Sequence, residues 1–269
     1  MAGEFSRIGG TDRHRFAAIN VTTGRVTRWQ VRGALSDEFV DAFAAGAGRV
    51  FLGSEDGFPR GGRKQWTVAL DASTGRALVW DPRLDIKGCR GCRQEVCAIA
   101  VKRNSVYVAG NFTHARGERR VGFVALDAVT AQPLSWQANV DRQTLLPLTV
   151  GGNPCNELNW GLATVGRAVY LSGGFSRING VSRDEIAAVD ARTGRVQRWM
   201  PRLPDCSNVF TFGVSGSSVV IVDDSDHVRL IDRVTGRKIR WTGEVPRCCT
   251  HAAAIGGGRV LIVGSLGLR

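Results

Sequence analysis

Short apolar runs alternate with turns rich in Gly, Asp and Thr along the whole chain. A run such as Val68-Ala69-Leu70 shows no helical period, so it predicts a buried strand. Similar runs are joined by Gly, Ser and Asn turns, as in CAIAVKRNSVYVAG at residues 97–110. The pattern predicts an all-β chain without helices.

One pattern of fourteen residues recurs five times, and we call the five chain units that end with its copies repeats 1 to 5. The copies are FAAINVTTGRVTRW (16–29), TVALDASTGRALVW (67–80), FVALDAVTAQPLSW (123–136), IAAVDARTGRVQRW (186–199) and VRLIDRVTGRKIRW (228–241). Each has an acid or its amide, then Thr three residues later and Trp nine residues later. The conserved spacing within the chain covers Asn20, Asp71, Asp127, Asp190 and Asp232, with Trp29, Trp80, Trp136, Trp199 and Trp241. Such constant spacing indicates a repeat protein.

The Asp-x-x-Thr-Gly segment at the centre of each copy has the chemistry of a turn. Its carboxylate or amide oxygen can accept hydrogen bonds from the N–H groups two and three residues later, and Gly tolerates a positive φ. Ala131 replaces that Gly in repeat 3 and is expected to be mildly strained. Each copy is therefore predicted to be a β-hairpin, and the five acids or amides are interpreted as turn formers and not as catalytic groups.

A second pattern precedes three of the hairpins. Gly-x-Phe is followed by Gly and then by Arg13, Arg120 or Arg183 at the same distance. Two further apolar runs lie before it, so the unit has four strands and recurs every 42 to 63 residues. Tandem units of this size are typical of β-propeller blades.

The blades are predicted within one domain, residues 1–269. Their approximate ranges are 37–84, 95–140, 160–203 and 208–245, with partial blades at 1–36 and 250–269. Five blades result if the terminal strands share one blade. However, residues 260–264 and 1–5 then claim the same place, which favours a fragment of a six- to eight-bladed parent with any leader upstream.

The net charge of +12 comes mostly from Arg residues, and these are spread over every repeat. Neither a recognition helix nor an aromatic stacking run accompanies the charge, so nucleic-acid binding is not favoured. No apolar run reaches the roughly 18 residues of a transmembrane helix, so no membrane span is predicted.

The pattern A-[LVI]-[DN]-x-x-T-G-x-x-x-x-W resembles the tryptophan-docking motif of PQQ-type (pyrroloquinoline quinone) propellers. The longer pattern G-x-F-[ST]-x-x-x-G-x-x-R is similar to the delta-60 family of bacterial propeller repeats. The resemblance covers nearly the whole chain, and it implies that each motif Trp packs against the neighbouring blade. It also implies an exported or cell-surface setting.

Seven cysteines are predicted to cluster on one face of the propeller, because nearly all fall in the connections between blades. They are Cys89, Cys92, Cys97, Cys155, Cys206, Cys248 and Cys249. One interpretation is a set of disulfides formed in an oxidising compartment. A second is a metal site at the Cys89-Arg-Gly-Cys92 knuckle, which His251 alone of the histidines is placed to join. A third is a vicinal disulfide between Cys248 and Cys249, the element against which quinoprotein alcohol dehydrogenases hold their quinone.

Two hypotheses on function follow, besides a third in which the abundant Arg residues form an anion-binding surface. The favoured one is a non-catalytic scaffold without cofactors that presents one loop face to a protein or carbohydrate partner, outside the bacterial cell or on its surface. The alternative is a PQQ-dependent oxidoreductase domain, which also needs calcium. The sequence contains no acid cluster matching that calcium site, and no surplus acid–base constellation.

Overall fold

The computed structural model describes residues 5–31, 35, 40–60, 63–88, 92, 94–141, 159–201, 203, 209–223, 227–240, 250–256 and 259–264. Within these ranges the chain consists of strands and turns and contains no helix. This agrees with the all-β prediction. None of the described residues belongs to a helix with the length and apolarity needed to cross a membrane.

The strands follow the repeats in chain order. Repeat 1 contains β1 (Arg7–Ile8) and β2 (Thr11–Asp12), and repeat 2 contains β3 (Ala42–Gly46), β4 (Arg49–Arg60) and β5 (Arg63–Asp71). After β6 (Leu84–Asp85), repeat 3 contains β7 (Glu95–Lys102), β8 (Ser105–Asn111), β9 (His114–Ala115), β10 (Glu118–Arg119) and β11 (Phe123–Asp127). Repeat 4 contains β12 (Gly161–Val165), β13 (Ala168–Ser172), β14 (Arg177–Ile178), β15 (Val181–Ser182) and β16 (Ile186–Asp190). Repeat 5 contains β17 (Val209–Ser215), β18 (Ser218–Asp223), β19 (Val228–Asp232) and β20 (Lys238–Ile239), and β21 (Thr250–Gly256) and β22 (Arg259–Gly264) follow it.

Repeats 2 to 5 each form one small antiparallel sheet. The first two strands of each sheet are joined by a two-residue turn, as in the pairing of Lys102 with Ser105. The predicted fourth strand is present as a named strand only in repeat 5, where β20 pairs with β19. In repeats 2, 3 and 4 it is reduced to a single bridge, such as Leu70 with Ala77. The fourth strand is shorter than expected because the chain leaves the sheet soon after the turn.

Neighbouring sheets stack face to face, and the alternation of side chains along the strands explains why. Tyr107, Ala109 and Phe123 of repeat 3 pack with residues of repeat 4. Val108 and Val124, which alternate with them, pack with residues of repeat 2. Since successive side chains point to opposite faces of a strand, each central sheet is buried on both sides. This is the packing predicted for consecutive propeller blades.

The segments after Trp80 and Trp136 cross onto the next repeat. After Trp80, strand β6 pairs with β9 of repeat 3 and extends the β9–β10 hairpin into a three-stranded sheet. After Trp136, Val140 forms the corresponding bridge with Ile178 of repeat 4. We call these segments crossovers, and they join neighbouring sheets through backbone hydrogen bonds as well as through apolar contact.

Candidate functional site

The repeated acids act as predicted in the turns. In Asp190, Oδ1 accepts hydrogen bonds from the N–H groups of Arg192 (3.0 Å) and Thr193 (2.9 Å) and from the Thr193 hydroxyl (2.9 Å). Asp71, Asp127 and Asp232 accept from the same positions of their own turns. Asn20 accepts the two N–H bonds through its amide oxygen. The motif acids are therefore occupied in holding their own turns.

These bonds favour the ionised carboxylates. Hydrogen bonds from Ser73 and Thr74 lower the pKa of Asp71 to about 2. At Asp127 and Asp190 burial opposes ionisation, but the donors of the turn outweigh it and the pKa of each is lowered. The N–H and hydroxyl of Thr235 likewise lower the pKa of Asp232. Groups that stay ionised at all but strongly acidic pH are poor proton donors, which argues against a general-acid role.

The motif tryptophans dock on the following repeat. Trp80, Trp136 and Trp199 donate their indole N–H to the backbone oxygens of Asp127, Asp190 and Asp232, at 3.1, 3.0 and 3.1 Å. Each acceptor belongs to the motif acid of the next repeat. The same rings make edge contacts with aromatic side chains of their own sheets, for example Trp136 with Tyr107 at 5.3 Å between centroids. This contact of each Trp with the neighbouring repeat is the one expected from the sequence.

Trp29 differs from these three tryptophans. The indole nitrogen of Trp29 is buried and has no hydrogen-bond partner among the described residues. Trp241 lies outside the described residues, and its docking stays a prediction.

The recurring arginines bridge two parts of their own repeat. Arg13, Arg120 and Arg183 donate from Nη2 to the backbone oxygens of residues Thr27, Leu134 and Gln197, at 2.7, 3.0 and 2.6 Å. In each case the acceptor lies fourteen residues later and two residues before the motif Trp. These arginines have a structural role; their spacing in the sequence did not show which carbonyl oxygen each one reaches.

Cys92 and Cys97 are disulfide-bonded. Cys89, Cys155, Cys206, Cys248 and Cys249 lie outside the described residues. The predicted clustering of the seven cysteines and their pairing therefore stay predictions.

Most residues of the proposed metal and quinone sites lie outside the described residues. Among the residues described, no group of three or more His, Cys, Asp or Glu side chains is placed to hold a metal ion. His251 is described only in its backbone, as part of β21.

A cleft of about 380 Å³ opens between repeats 3 and 4. It is lined by Lys102, Arg103, Ser105, Tyr107, Gly166, Arg167, Asp190, Ala191 and Arg192. Tyr107 lines it and donates from its hydroxyl to the Ala191 carbonyl oxygen across the repeat boundary, at 2.7 Å. Four cations surround this cleft, whereas the only carboxylate, Asp190, is already bonded within its turn. We call it the basic cleft; the sequence analysis did not single out its arginines.

No known protein-family model and no curated protein matches the sequence. The chain is similar to the computationally designed Ika8 protein, with 15% identity and a TM-score of 0.49 over 90% of this chain and 72% of that one. It is also similar to BamB from Moraxella catarrhalis, with 15% identity and a TM-score of 0.46 over 85% and 69% of the two chains. A third similar structure is the quinohemoprotein alcohol dehydrogenase from Comamonas testosteroni, with 17% identity and a TM-score of 0.48 over 86% of this chain but 40% of that one. At these identities and TM-scores, the similarity assigns no function to this chain.

Proposed function

We propose that this chain is a non-catalytic β-propeller scaffold, exported or cell-surface, that presents one loop face to a protein or carbohydrate partner. The observation that supports the proposal is that the recurring polar side chains bond within the repeats themselves. The turn acids, the bridging arginines and the docking tryptophans are bonded to backbone atoms of the repeats themselves. A residue held in this way is poorly suited to acid–base or nucleophilic chemistry on a substrate.

Rigidity between repeats supports the same role. Each repeat boundary that we describe from repeat 2 onward combines a buried apolar core with an indole hydrogen bond. Sheets fixed in this way hold their connecting loops at constant separations, so less entropy is lost when a partner binds several loops together. We infer that the stacked sheets close into a ring, since closure removes exposed sheet edges.

A binding screen with a cofactor control tests this function. The immobilised full chain is presented to a glycan array and to a panel of purified surface proteins of the source bacterium. We expect saturable binding to at least one partner. In parallel, the chain is mixed with PQQ and calcium, and bound quinone absorbance and dye-linked alcohol oxidation are measured. Quinone uptake with turnover would refute the scaffold and favour the oxidoreductase; absence of any saturable partner would also refute it.

A further inference from the structure

The four cations of the basic cleft come from two repeats and occupy defined positions. Repeat 3 supplies Lys102, which ends β7, and Arg103, the first residue of the following turn. Repeat 4 supplies Arg167, the second residue of its β12–β13 turn, and Arg192, two residues after Asp190. No hydrogen bond or ion pair joins these four side chains to any part of the chain that the structure describes. Arg167 lies near enough to Asp190 to favour its charge, but it does not bond to it.

The corresponding positions at the neighbouring boundaries carry no charge. The register of the turns defines the equivalents, because repeats 2 to 5 all join their first two strands by two-residue turns. Between repeats 2 and 3 the equivalents of the four cations are Gly46, Ala47, Asn104 and Val129. Between repeats 4 and 5 they are Val165, Gly166, Ser217 and Val234. Stacking of these sheets therefore does not require a cation at any of the four positions.

Placing four like charges around one cleft is unfavourable by itself. Cations that share a concave surface repel one another and raise the local potential, which attracts anions. Arg guanidinium groups pair with carboxylate, phosphate and sulfate oxygens in a bidentate manner. The cleft volume of about 380 Å³ falls within the range of small-molecule sites.

We propose that the basic cleft is a binding site for an oxyanion ligand carrying two or more negative charges, such as a phosphate monoester or a multiply sulfated sugar. Arg167 and Arg192 of repeat 4 bind it from one side, and Lys102 and Arg103 of repeat 3 from the other. The Ser105 hydroxyl and the apolar surface of Ala191 complete the lining. This site goes beyond the scaffold role, because it requires no macromolecular partner.

Calorimetric titration of the full chain at low ionic strength tests the site. Inorganic pyrophosphate represents a free oxyanion, and a heparin-derived tetrasaccharide represents an anionic glycan. We expect at least one probe to bind, with an affinity that falls as salt is added. The double variant Arg167→Ala/Arg192→Ala should bind about a hundredfold more weakly, since each of the two lost charge-assisted contacts costs about tenfold.

A matched control separates the cleft from the overall charge. Arg76→Ala/Arg237→Ala removes the same charge from exposed turn residues of repeats 2 and 5, and should change the affinity less than about twofold. Thermal unfolding checks the fold of each variant; if the first melts lower, Lys102→Gln/Arg103→Gln repeats the test from repeat 3. Pyrophosphate binding identifies a free oxyanion as sufficient, and tetrasaccharide binding alone identifies a glycan. Binding of neither probe, or equal weakening in the cleft and control variants, would overturn the proposal.

Discussion

The glycine of the Asp-x-x-Thr-Gly turn lies against the crossover of the preceding repeat, which makes a graded test of sheet stacking possible. Gly194 has φ +77°, and a Cβ added there would lie 2.0 Å from the backbone oxygen of Gln137. Gln137 immediately follows the docking residue Trp136. At Gly236, with φ +72°, the nearest backbone oxygen is that of Met200 at 2.7 Å. At Gly24, with φ +67°, no atom of the residues that the structure describes lies within 4 Å.

Alanine at any of the three positions would therefore carry the same cost of a left-handed backbone. The positions differ in how far the added Cβ overlaps neighbouring backbone atoms. An alanine in this conformation costs about 1–2 kcal/mol, and reduced freedom of the unfolded chain offsets about 0.4–1 kcal/mol of it. Gly24→Ala should thus destabilise by about 0.5–1.5 kcal/mol. Overlap with backbone cannot be relieved by rotating a side chain, and overpacking adds about 1–3 kcal/mol. Gly194→Ala should therefore destabilise by about 2–4 kcal/mol, with Gly236→Ala between the other two.

Urea unfolding of the three variants measures these differences, with the m-value checked for constancy. Ala131 shows that the turn itself accepts alanine, since it is fully buried there with φ 59°. The left-handed backbone confirms the sequence-based expectation at this residue. If Gly194→Ala and Gly24→Ala destabilised the protein equally, the close approach of the crossover would not be an energetic constraint, and the reasoning would fail.

Three further predictions concern the same architecture. Trp136→Phe removes the indole hydrogen bond to Asp190 and should lower the free energy of urea unfolding by about 1–2 kcal/mol. Trp29→Phe removes a buried donor without a described partner and should be neutral or stabilising. An equal loss in both variants would contradict docking through the indole N–H. The folded-state pKa of Asp71 is lowered from 3.8 to about 2, so its stabilising contribution is present above pH 3.8 and disappears as pH falls towards 2. Asp71→Asn, which keeps an acceptor as Asn20 does, should flatten the dependence of unfolding free energy on pH over this window. An unchanged pH dependence would count against the turn bonds. Asp223→Asn removes the charge from the 2.6 Å ion pair with Arg229, whose side chain is 16% exposed, and should cost about 3 kcal/mol of stability. His227→Ala, at a side chain 63% exposed, should cost under about 1 kcal/mol. Similar losses in both variants would show that the buried ion pair is not the source of the stabilisation.

The local parts of this structure were predictable from the sequence because their partners lie close in the chain. The oxygen of Asp190 bonds to residues two and three positions later, so its turn follows from five letters of sequence. The bridging role of Arg183 was harder to predict from the sequence, although Arg13, Arg120 and Arg183 each donate to a residue fourteen positions later. Recurrence marked Arg183 as structural, but only coordinates show which carbonyl it reaches.

Contacts between repeats were predictable in kind but not in detail. The sequence indicated that Trp136 packs against the next repeat, yet its acceptor lies 54 residues further on. The predicted fourth strand is shortened: Ala77 and Leu78 still bond to their own sheet, and the chain pairs with the next repeat only after Trp80. That choice depends on the distance between sheets, which no local pattern encodes.

The repeats also allow structural and functional residues to be separated within a single chain. Asp190 and Arg192 are two residues apart in one turn, and both are charged. The acid or its amide is present at the equivalent position of all five repeats, and in each it accepts the same turn bonds. Arg192 is matched by Thr22, Ser73, Val129 and Val234 in the other repeats, so the fold does not specify it. A charge that the fold does not need, in a cleft shared with three other cations, is the kind of residue that ligand binding would select.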